Sequence, residues 1–335
     1  MPPPIFLFGS ERSGSNLLRT LLGNHSMVEA PVAPHFFDSF LPFARHYGIF
    51  KERSNMIAML TDMHSFVQHP FHAWGLSIDP EAIYERFEPK GFYAATDAMW
   101  RAKALGSGKA TFISKDNHLF NYAFEINANW PDAKILYLYR DPRDHCASWA
   151  HMPLHLKTVF DMVTKWEREQ RQCLFLQDVH NIDMHFISYE DLISDPPRVL
   201  GAALAYCGLP VEEACFQTDA ARVTEAGRIM AWKNLDKPIM RENRSKYRKV
   251  FNEEQIRLIE TIAAPHMKRL GYERDTTADW TPPSFHGLRL KFERRSMHRK
   301  GIVLKDEELR VLYEKQACLA AIKAKVIARS TGSAR

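Results

Sequence analysis

Short apolar runs alternate along this chain with longer segments in which apolar residues recur every three or four positions. The short runs are residues 5–8, 111–114, 134–139 and 183–188. The run 5–8 is unbroken, as is typical of a parallel strand that is covered on both faces, and the other three, which include polar residues, are also predicted strands. The longer segments have the spacing of helices that turn one face toward such a sheet. The alternation predicts an α/β fold, with a central parallel sheet flanked by helices on both faces.

Three helical segments are clear. Residues 158–177 predict an amphipathic helix whose inward residues are Phe160, Val163, Trp166 and Cys173. Its outward residues would be the charged ones, Lys165, Glu167, Arg168, Glu169 and Arg171. Residues 253–270 predict a second helix, which Gly271 ends, and residues 305–329 predict a third. The apolar rhythm between 38 and 108 predicts one or two further helices that face the core.

The loop between the first strand and the first helix combines small residues with one permanent cation. After Gly9 the chain reads Ser-Glu-Arg-Ser-Gly-Ser-Asn, with the arginine at position 12. A helix that begins after such a loop has unpaired N–H groups and the positive end of its dipole pointing outward. Small residues let an oxyanion approach this backbone, and Arg12 adds a forked set of donors. The stretch predicts an anion site, although an ordinary strand-to-helix turn could have the same composition.

This loop differs from the one that nucleoside triphosphatases use. Their motif requires Gly-Lys-Ser/Thr after four free positions, whereas here Gly14 is followed by Ser15. Because the lysine and the hydroxyl that holds magnesium are missing, ATP hydrolysis is disfavoured. A P-loop kinase stays only as an alternative.

A second candidate anion pocket follows the run 134–139. Arg140 lies at the carboxyl end of this predicted strand, where ligands bind in open α/β sheets. Pro142 can stop the strand and open a helix, which would turn Ser148 toward the same crevice two turns later. The two loops together offer two separate anion pockets.

These residues resemble a known family. Residues 12–16 resemble the 5′-phosphosulfate loop of sulfotransferases that use 3′-phosphoadenosine 5′-phosphosulfate (PAPS), and Arg140 with Ser148 resembles their 3′-phosphate motif. Arginine as the first loop residue is similar to the Golgi and tyrosylprotein branch. The resemblance implies a P-loop-like fold and in-line transfer of a sulfuryl group from PAPS to an acceptor hydroxyl. The acceptor could be a small molecule, a carbohydrate or a peptide tyrosine.

Three later motifs extend the resemblance. Residues 112–117 are similar to the family's Lys-Asp-Pro element, with Asn117 in place of proline, and Tyr189 occupies the position whose tyrosine contacts adenine. Residues 245–247 are similar to the element that closes over the nucleotide. The resemblance also implies catalytic roles for Arg12, Lys115 and Ser245. The residues that it implies for binding PAPS are Arg12, Ser13, Gly14, Ser15, Asn16, Arg140, Ser148, Tyr189, Ser245 and Lys246.

The base that takes the proton of the acceptor is not fixed by the resemblance. Tyrosylprotein members carry a glutamate where this chain has Ala33. His35 and His118 are the two candidates, because histidine can accept a proton near neutral pH. His35 could equally be a half-buried ring among phenylalanines, and the spacing of Lys115 and His118 is common. The replaced glutamate also leaves open a catalytically inactive nucleotide-binding module.

Composition and charge further narrow the possible functional classes of this protein. The chain has 335 residues, of which 45% are hydrophobic, and 45 basic against 40 acidic residues give a formal net charge of +5. This charge fits a local pocket for an anionic nucleotide better than a general nucleic-acid binder. The five scattered cysteines indicate reduced thiols and not a disulfide or zinc framework. No ligand pattern flanks the histidines at 64, 69 and 72, so no metal is expected.

The sequence also predicts where the protein is found, how it divides into domains and which segment covers the cofactor. No secretory signal or membrane-spanning stretch is visible, so we expect a cytoplasmic protein, unlike the anchored Golgi members. Residues 1–275 are expected to form the PAPS-binding domain, and 276–335 a basic and helical C-terminal extension. This extension could join a second copy in a homodimer, bind an acidic acceptor or cap the main domain. Basic residues in 222–249, among them Arg228, Lys233 and Lys237, predict a lid over the cofactor.

Overall fold

The computed structural model describes residues 2–151, 158–218, 238–282 and 306–332, with 286–287, 290–291 and 293–294 between the last two ranges. Arg228, Lys233 and Lys237 of the predicted lid lie outside the described residues. In the ranges above, every helix is either too short or too polar to cross a lipid bilayer.

The described residues contain a parallel sheet of five strands. They are β1 (Ile5–Gly9), β2 (Val28–Glu29), β3 (Thr111–Ser114), β4 (Lys134–Tyr139) and β5 (His185–Ser188). Their spatial order is β2-β3-β1-β4-β5, and every neighbouring pair is parallel. β1 lies in the middle, where Ile5 pairs with Ile113 of β3 and with Lys134 of β4.

Helices connect and cover the strands. In the first half of the chain they are α1 (Ser15–Gly23), α2 (Phe36–Phe40), α3 (Arg53–Gln68), α4 (Pro80–Phe87), α5 (Phe92–Gly106) and α6 (Ala123–Asn129). In the second half they are α7 (Pro142–Ala150), α8 (Val159–Asp178), α9 (Tyr189–Ser194), α10 (Pro196–Tyr206), α11 (Glu253–Arg269) and α12 (Asp306–Gly332). Short 3₁₀ helices lie at Leu41–Tyr47, Leu119–Tyr122, Glu213–Phe216 and Lys246–Lys249.

Alternate side chains of β1 enter two different hydrophobic clusters. Phe6 and Phe8 join the cluster that includes residues of α3, α5 and α8, whereas Ile5 and Leu7 join the one that includes residues of α1 and α10. All four side chains are at most 2% exposed. Burying such a side chain contributes about 1.5–3 kcal/mol to stability. Burial of apolar side chains on both faces therefore stabilises the sheet between two layers of helices.

A buried lysine ties the end of α1 to the sheet. The ammonium of Lys109, just before β3, donates hydrogen bonds to the carbonyls of Gly23, His25 and Val28 at 2.7–2.8 Å. Carbonyls at the end of a helix lack partners within the helix, and a cation there is also stabilised by the negative end of the helix dipole. Lys109 is 8% exposed, and the three carbonyl dipoles stabilise its charge in place of water.

The fold predicted from the sequence is confirmed. β5 is two residues shorter than predicted, and α8 begins after Thr158, whose hydroxyl accepts a hydrogen bond from the N–H of Asp161. The prediction that Glu169 and Lys165 point outward is wrong. Glu169 is 2% exposed, the side chain of Lys165 is 12% exposed, and both contact residues of the loops at the sheet edge.

Helix α12 packs on the rest of the structure. Its Ile322 and Val326 are 8% and 1% exposed and join the larger hydrophobic cluster, beside the 3₁₀ helix Leu41–Tyr47 and α3. Lys325 forms an ion pair with Asp62, which also accepts a hydrogen bond from the Tyr47 hydroxyl at 2.9 Å. Among the three roles considered for the C-terminal extension, these contacts support that of a cap.

Candidate active site

The loops that follow β1, β3, β4 and β5 meet at the carboxyl edge of the sheet. They carry Arg12, Lys115, Arg140 and Tyr189, respectively. Since neighbouring strands are parallel, these side chains share one end of the sheet, which is where open α/β sheets bind ligands.

Arg12 and Arg140 lie against each other in this cleft. Nη1 of Arg140 donates a hydrogen bond to the carbonyl of Arg12 at 3.1 Å, and Nε of Arg12 donates to the hydroxyl of Ser148 at 3.1 Å. Burial and the neighbouring charge of Arg140 lower the pKa of Arg12. The sequence suggested two separate pockets with Ser148 beside Arg140. In the structure the two loops are joined by direct hydrogen bonds, and Ser148 contacts Arg12.

Tyr189 lies over the first loop. A Cβ added to Gly14 would come within 2.3 Å of the Tyr189 ring, and the φ of Gly14 is +94°. Glycine is therefore needed here both for its conformation and for the close approach. The guanidinium of Arg140 lies 4.3 Å from the centre of the same ring, and Asn243 donates a hydrogen bond to its hydroxyl at 2.5 Å. The ring thus contacts both candidate anion loops.

Two buried polar groups of the cleft are available to a ligand. Among the described residues, neither Oγ of Ser13 nor Nε of Arg140 has a hydrogen-bond partner, although these residues are 0% and 6% exposed. A buried donor without a partner is costly. Ser15 and Asn16 open α1 directly after Gly14, so unpaired N–H groups lie beside them. A bound oxyanion would satisfy these groups, and the cleft therefore fits a phosphorylated ligand.

Residues 245–247 are tied to α7 by Asp144. Its carboxylate, which is 2% exposed, accepts hydrogen bonds from the backbone N–H of Ser245 at 2.5 Å and of Tyr247 at 3.0 Å. Ser245 and Lys246 are exposed, and their side chains form no hydrogen bond or ion pair with the other candidate residues that the structure describes. The structure thus brings the backbone of this segment close to the cleft.

Lys115 lies at the end of β3 and begins a chain of polar contacts. Its ammonium donates a hydrogen bond to Asn117 at 2.8 Å, and the amide of Asn117 donates to Glu11 at 3.1 Å. Burial lowers the pKa of Lys115 to about 8, despite the opposing charge of Glu11. Asn117, which departs from the family's proline, is the link between the lysine and this carboxylate.

His118 lies between two carboxylates. Its Nε2 is 3.3 Å from Glu169 and 4.0 Å from Glu11, and the ammonium of Lys165 is 3.2 Å away. Lys165 also forms ion pairs with Glu169 and with Glu11. Burial alone would raise the pKa of Glu169, but the hydrogen bond with His118 and the charge of Lys165 lower this pKa to about 2. Glu169 is therefore a fixed negative charge beside the imidazole.

His35 has more positive surroundings. Its backbone N–H donates to Asp116 at 2.8 Å, and its Nδ1 lies 4.0 Å from the same carboxylate oxygen. Burial, with the charges of Lys315 and Lys115, lowers the pKa of His35 well below its usual value. Burial raises the pKa of Asp116 to about 7. The imidazole of His35 is therefore neutral at neutral pH.

Strained backbone marks four of the candidate positions. Within the described ranges, seven non-glycine residues have positive φ. Four of the seven are candidates from the sequence, namely Arg12 at 69°, His35 at 54°, His118 at 60° and Ser245 at 55°. Such conformations cost roughly 1–3 kcal/mol each and cluster at functional sites.

The sequence interpretation missed Glu11, Lys165 and Glu169. The signal for Glu169 was present, because it lies three residues after Trp166 and four before Cys173, both of which were predicted to face inward. Glu11 gave no such signal, since its contacts with Asn117 and His118 join segments that are far apart in sequence.

The parallel sheet and the cationic cleft at its carboxyl edge are those of an α/β protein that binds an anionic ligand. Comparison with known families gives the particular family. The chain belongs to the sulfotransferase family, whose profile matches residues 3–213. An uncharacterized protein of Aquifex aeolicus (strain VF5) is 27% identical over 222 residues, which are 63% of this chain and 26% of that protein. The chain thus spans about a quarter of the length of this relative.

Two solved structures share the fold. The sulfotransferase domain of the olefin synthase from Synechococcus PCC 7002 has a TM-score of 0.54 and 19% identity, covering 81% of this chain and 95% of that domain. The sulfotransferase domain from the curacin biosynthetic pathway has a TM-score of 0.52 and 18% identity, covering 82% and 99%. At these identities the likeness concerns the fold alone. Among the described residues, no three His, Cys, Asp or Glu side chains are grouped so that they could hold a metal ion.

Proposed function

We propose that this protein transfers a sulfuryl group from PAPS to the hydroxyl of an acceptor. The observation that carries the proposal is the joint position of Arg12, Arg140 and Ser148 in one cleft at the carboxyl edge of the sheet. The unpaired Ser13 hydroxyl and the glycine at position 14 support it, because both suit close contact with an oxyanion. We further propose that residues 1–275 form the catalytic domain and 276–335 its extension.

Each residue of the cleft has a task in this reaction. Ser13, Gly14, Ser15 and Asn16 would bind the 5′-phosphosulfate through their backbone and hydroxyl donors, while Arg140 and Ser148 would bind the 3′-phosphate. Tyr189 would contact adenine, and Ser245 and Lys246 would close over the nucleotide. During transfer a bond forms between the acceptor oxygen and sulfur as the bond from sulfur to the bridging oxygen breaks. Arg12 and Lys115 would stabilise the negative charge that collects on the leaving phosphate.

Geometry favours His118 over His35 as the group that takes the acceptor's proton. A base becomes positively charged when it accepts a proton. Two carboxylates against one ammonium, that of Lys165, surround His118, whereas at His35 one carboxylate stands against the charges of Lys315 and Lys115. In the tautomer whose Nε2–H donates to Glu169, the lone pair of Nδ1 is left to accept the proton. Glu169 is then a positioning residue for His118.

Calorimetry with the product nucleotide 3′-phosphoadenosine 5′-phosphate tests the binding half of the proposal. We expect this nucleotide to bind the wild-type protein more tightly than AMP, which lacks the 3′-phosphate, and more tightly than ATP with Mg²⁺. Arg140→Gln should remove most of the preference over AMP, a loss of about tenfold to a hundredfold, because charge-assisted hydrogen bonds contribute about 1.5–3 kcal/mol. Preference for ATP with Mg²⁺ would instead favour a P-loop kinase.

Turnover separates an enzyme from an inactive nucleotide-binding module. Wild-type protein given radiolabelled PAPS and a panel of alcohols, phenols and sugars should transfer label to at least one acceptor. A protein that binds the product nucleotide but labels no member of the panel would contradict the enzymatic half of the proposal.

A further inference from the structure

Helix α12 places a lysine where an apolar residue is expected. Its inward residues follow a spacing of four, three and four positions through Lys315, Leu319, Ile322 and Val326. Such spacing keeps one face of a helix turned toward its neighbour. The last three residues pack on the larger hydrophobic cluster, so the same face carries Lys315 inward one turn before Leu319.

In the part of the chain that the structure describes, the surroundings of this lysine are aromatic. Its ammonium lies 4.0 Å from the centre of the Phe71 ring and 5.9 Å from that of Phe66. Among the described residues, no carboxylate lies within the 4.0 Å of an ion pair. Burial lowers the pKa of Lys315 to about 8, even though the charge of Asp116 favours its protonated form. A cation that is largely buried without a partner is costly, so the site suits an anion.

This lysine lies near His35, one of the two candidate bases of the cleft. The ring of His72 lies 4.7 Å from Phe66 and 5.0 Å from Phe71, the same two rings that Lys315 contacts. The backbone N–H of His35 donates a hydrogen bond to Asp116, whose charge also acts on Lys315. Asp116 directly follows Lys115 in the chain. Lys315 therefore lies close enough to His35 and Asp116 for its charge to act on both, beside the segment that carries Lys115.

We propose that Lys315, in the setting formed by Phe71, His72 and His35, binds a carboxylate of the acceptor, so that the acceptor class is hydroxy acids. The inference rests on the proposed function and adds the substrate class to it. One lysine beside imidazoles that burial keeps neutral provides a single positive charge. It balances the single negative charge of a carboxylate, whereas a phosphate dianion would bring a second charge without compensation. Helix α12 thereby forms one wall of the acceptor site.

Matched pairs of probes test this directly. Protein saturated with the product nucleotide is titrated calorimetrically with 4-hydroxyphenylacetate and its amide, and with 3-hydroxyoctanoate and its amide. In at least one pair we expect the carboxylate to bind about tenfold more tightly than the amide, as a charge-assisted contact would give. Lys315→Gln should reduce the difference to about twofold or less, whereas Lys315→Arg should retain most of it. Lys323→Gln, an exposed change on the same helix, should leave the preference intact.

Each outcome bears on one of the two proposals. If the product nucleotide itself does not bind, the proposed function fails. If the nucleotide binds but carboxylate and amide bind equally, or neither probe binds, the acceptor assignment is overturned while the nucleotide site stands. A preference that survives Lys315→Gln would also overturn it. Melting curves with and without nucleotide show that each variant is folded, so a lost preference cannot be ascribed to unfolding.

Discussion

Arg12 and Lys115 differ in how they keep the positive charge that the proposed reaction needs. The guanidinium of arginine stays protonated at any working pH, but burial lowers the pKa of Lys115 to about 8. Lys115 is charged below this value and neutral above it. A reaction that depends on the ammonium is therefore favoured below the pKa and slows as the pH rises through it.

We accordingly expect kcat/KM to fall about tenfold per pH unit above about pH 8, since this ratio reports groups of the free protein. The measurement is a profile from about pH 6 to 9.5 with the acceptor that the panel identifies. Because Lys315 also has a pKa of about 8, the comparison is made in the Lys315→Gln background, where adding Lys115→Arg should remove the fall. An unchanged fall in that variant would show that another group is responsible.

Gly14 is required both for its backbone conformation and for the close approach of Tyr189, and mutation can separate these two requirements. Alanine at this position must adopt a φ of +94° and would also bring its Cβ within 2.3 Å of the Tyr189 ring. Gly108 has a φ of +71° but nothing within 4 Å of an added Cβ, so Gly108→Ala isolates the backbone term. Gly108→Ala should lose about 1–2 kcal/mol in the free energy of unfolding, and Gly14→Ala should lose more, because the contact with the Tyr189 ring adds to the backbone cost.

Only Gly14→Ala should also weaken binding of the product nucleotide, by about tenfold or more, a change of about 1.4 kcal/mol. Calorimetry measures the binding, and urea denaturation measures the stability. Equal nucleotide affinity in the two variants would mean that the Tyr189 ring does not have to lie against this loop for binding.

At the scale of elements, α8 is a packing helix that also carries charge into the cleft. Its buried residues Val163, Trp166 and Cys173 were predicted from spacing alone, because the hydrophobic period is a local property. Glu169 shares that face and was wrongly predicted to point outward, since a carboxylate is rarely buried without a partner. Its partners are Lys165 on the same helix and His118, which lies 51 positions earlier in the chain, so the pairing with His118 could not be seen from local spacing.

Glu169→Gln should lower kcat about tenfold to a hundredfold and leave the affinity for the product nucleotide unchanged. The amide removes the fixed charge beside His118 but keeps the shape of the side chain, and general-base catalysis contributes about 10²–10⁴ in rate. Glu167→Gln is the matched control, because Glu167 lies on the same helix and pairs with Arg171 and His266. A parallel loss of kcat in both variants would indicate a structural effect on α8.

At the scale of the whole molecule, the strands were predictable and the assembly of the cleft was only partly so. The apolar runs of β1, β3 and β4 specify strands locally, and their parallel order brings the loops with Arg12, Lys115 and Arg140 together. The sequence could not show that α12 returns to the main cluster, because that contact depends on the packing of α3 and the 3₁₀ helix Leu41–Tyr47. Lys315 was accordingly absent from the predicted site.

The bonding of Lys109 gives this protein an internal reporter of unfolding. An amine whose three donors are all engaged by carbonyls cannot attack an acylating reagent until those bonds open. Lys323 on α12 is exposed, and we expect it to react in the native state. The ratio of acylation at the two lysines, read by mass spectrometry, would therefore follow opening of the α1–β3 junction separately from general reagent exposure.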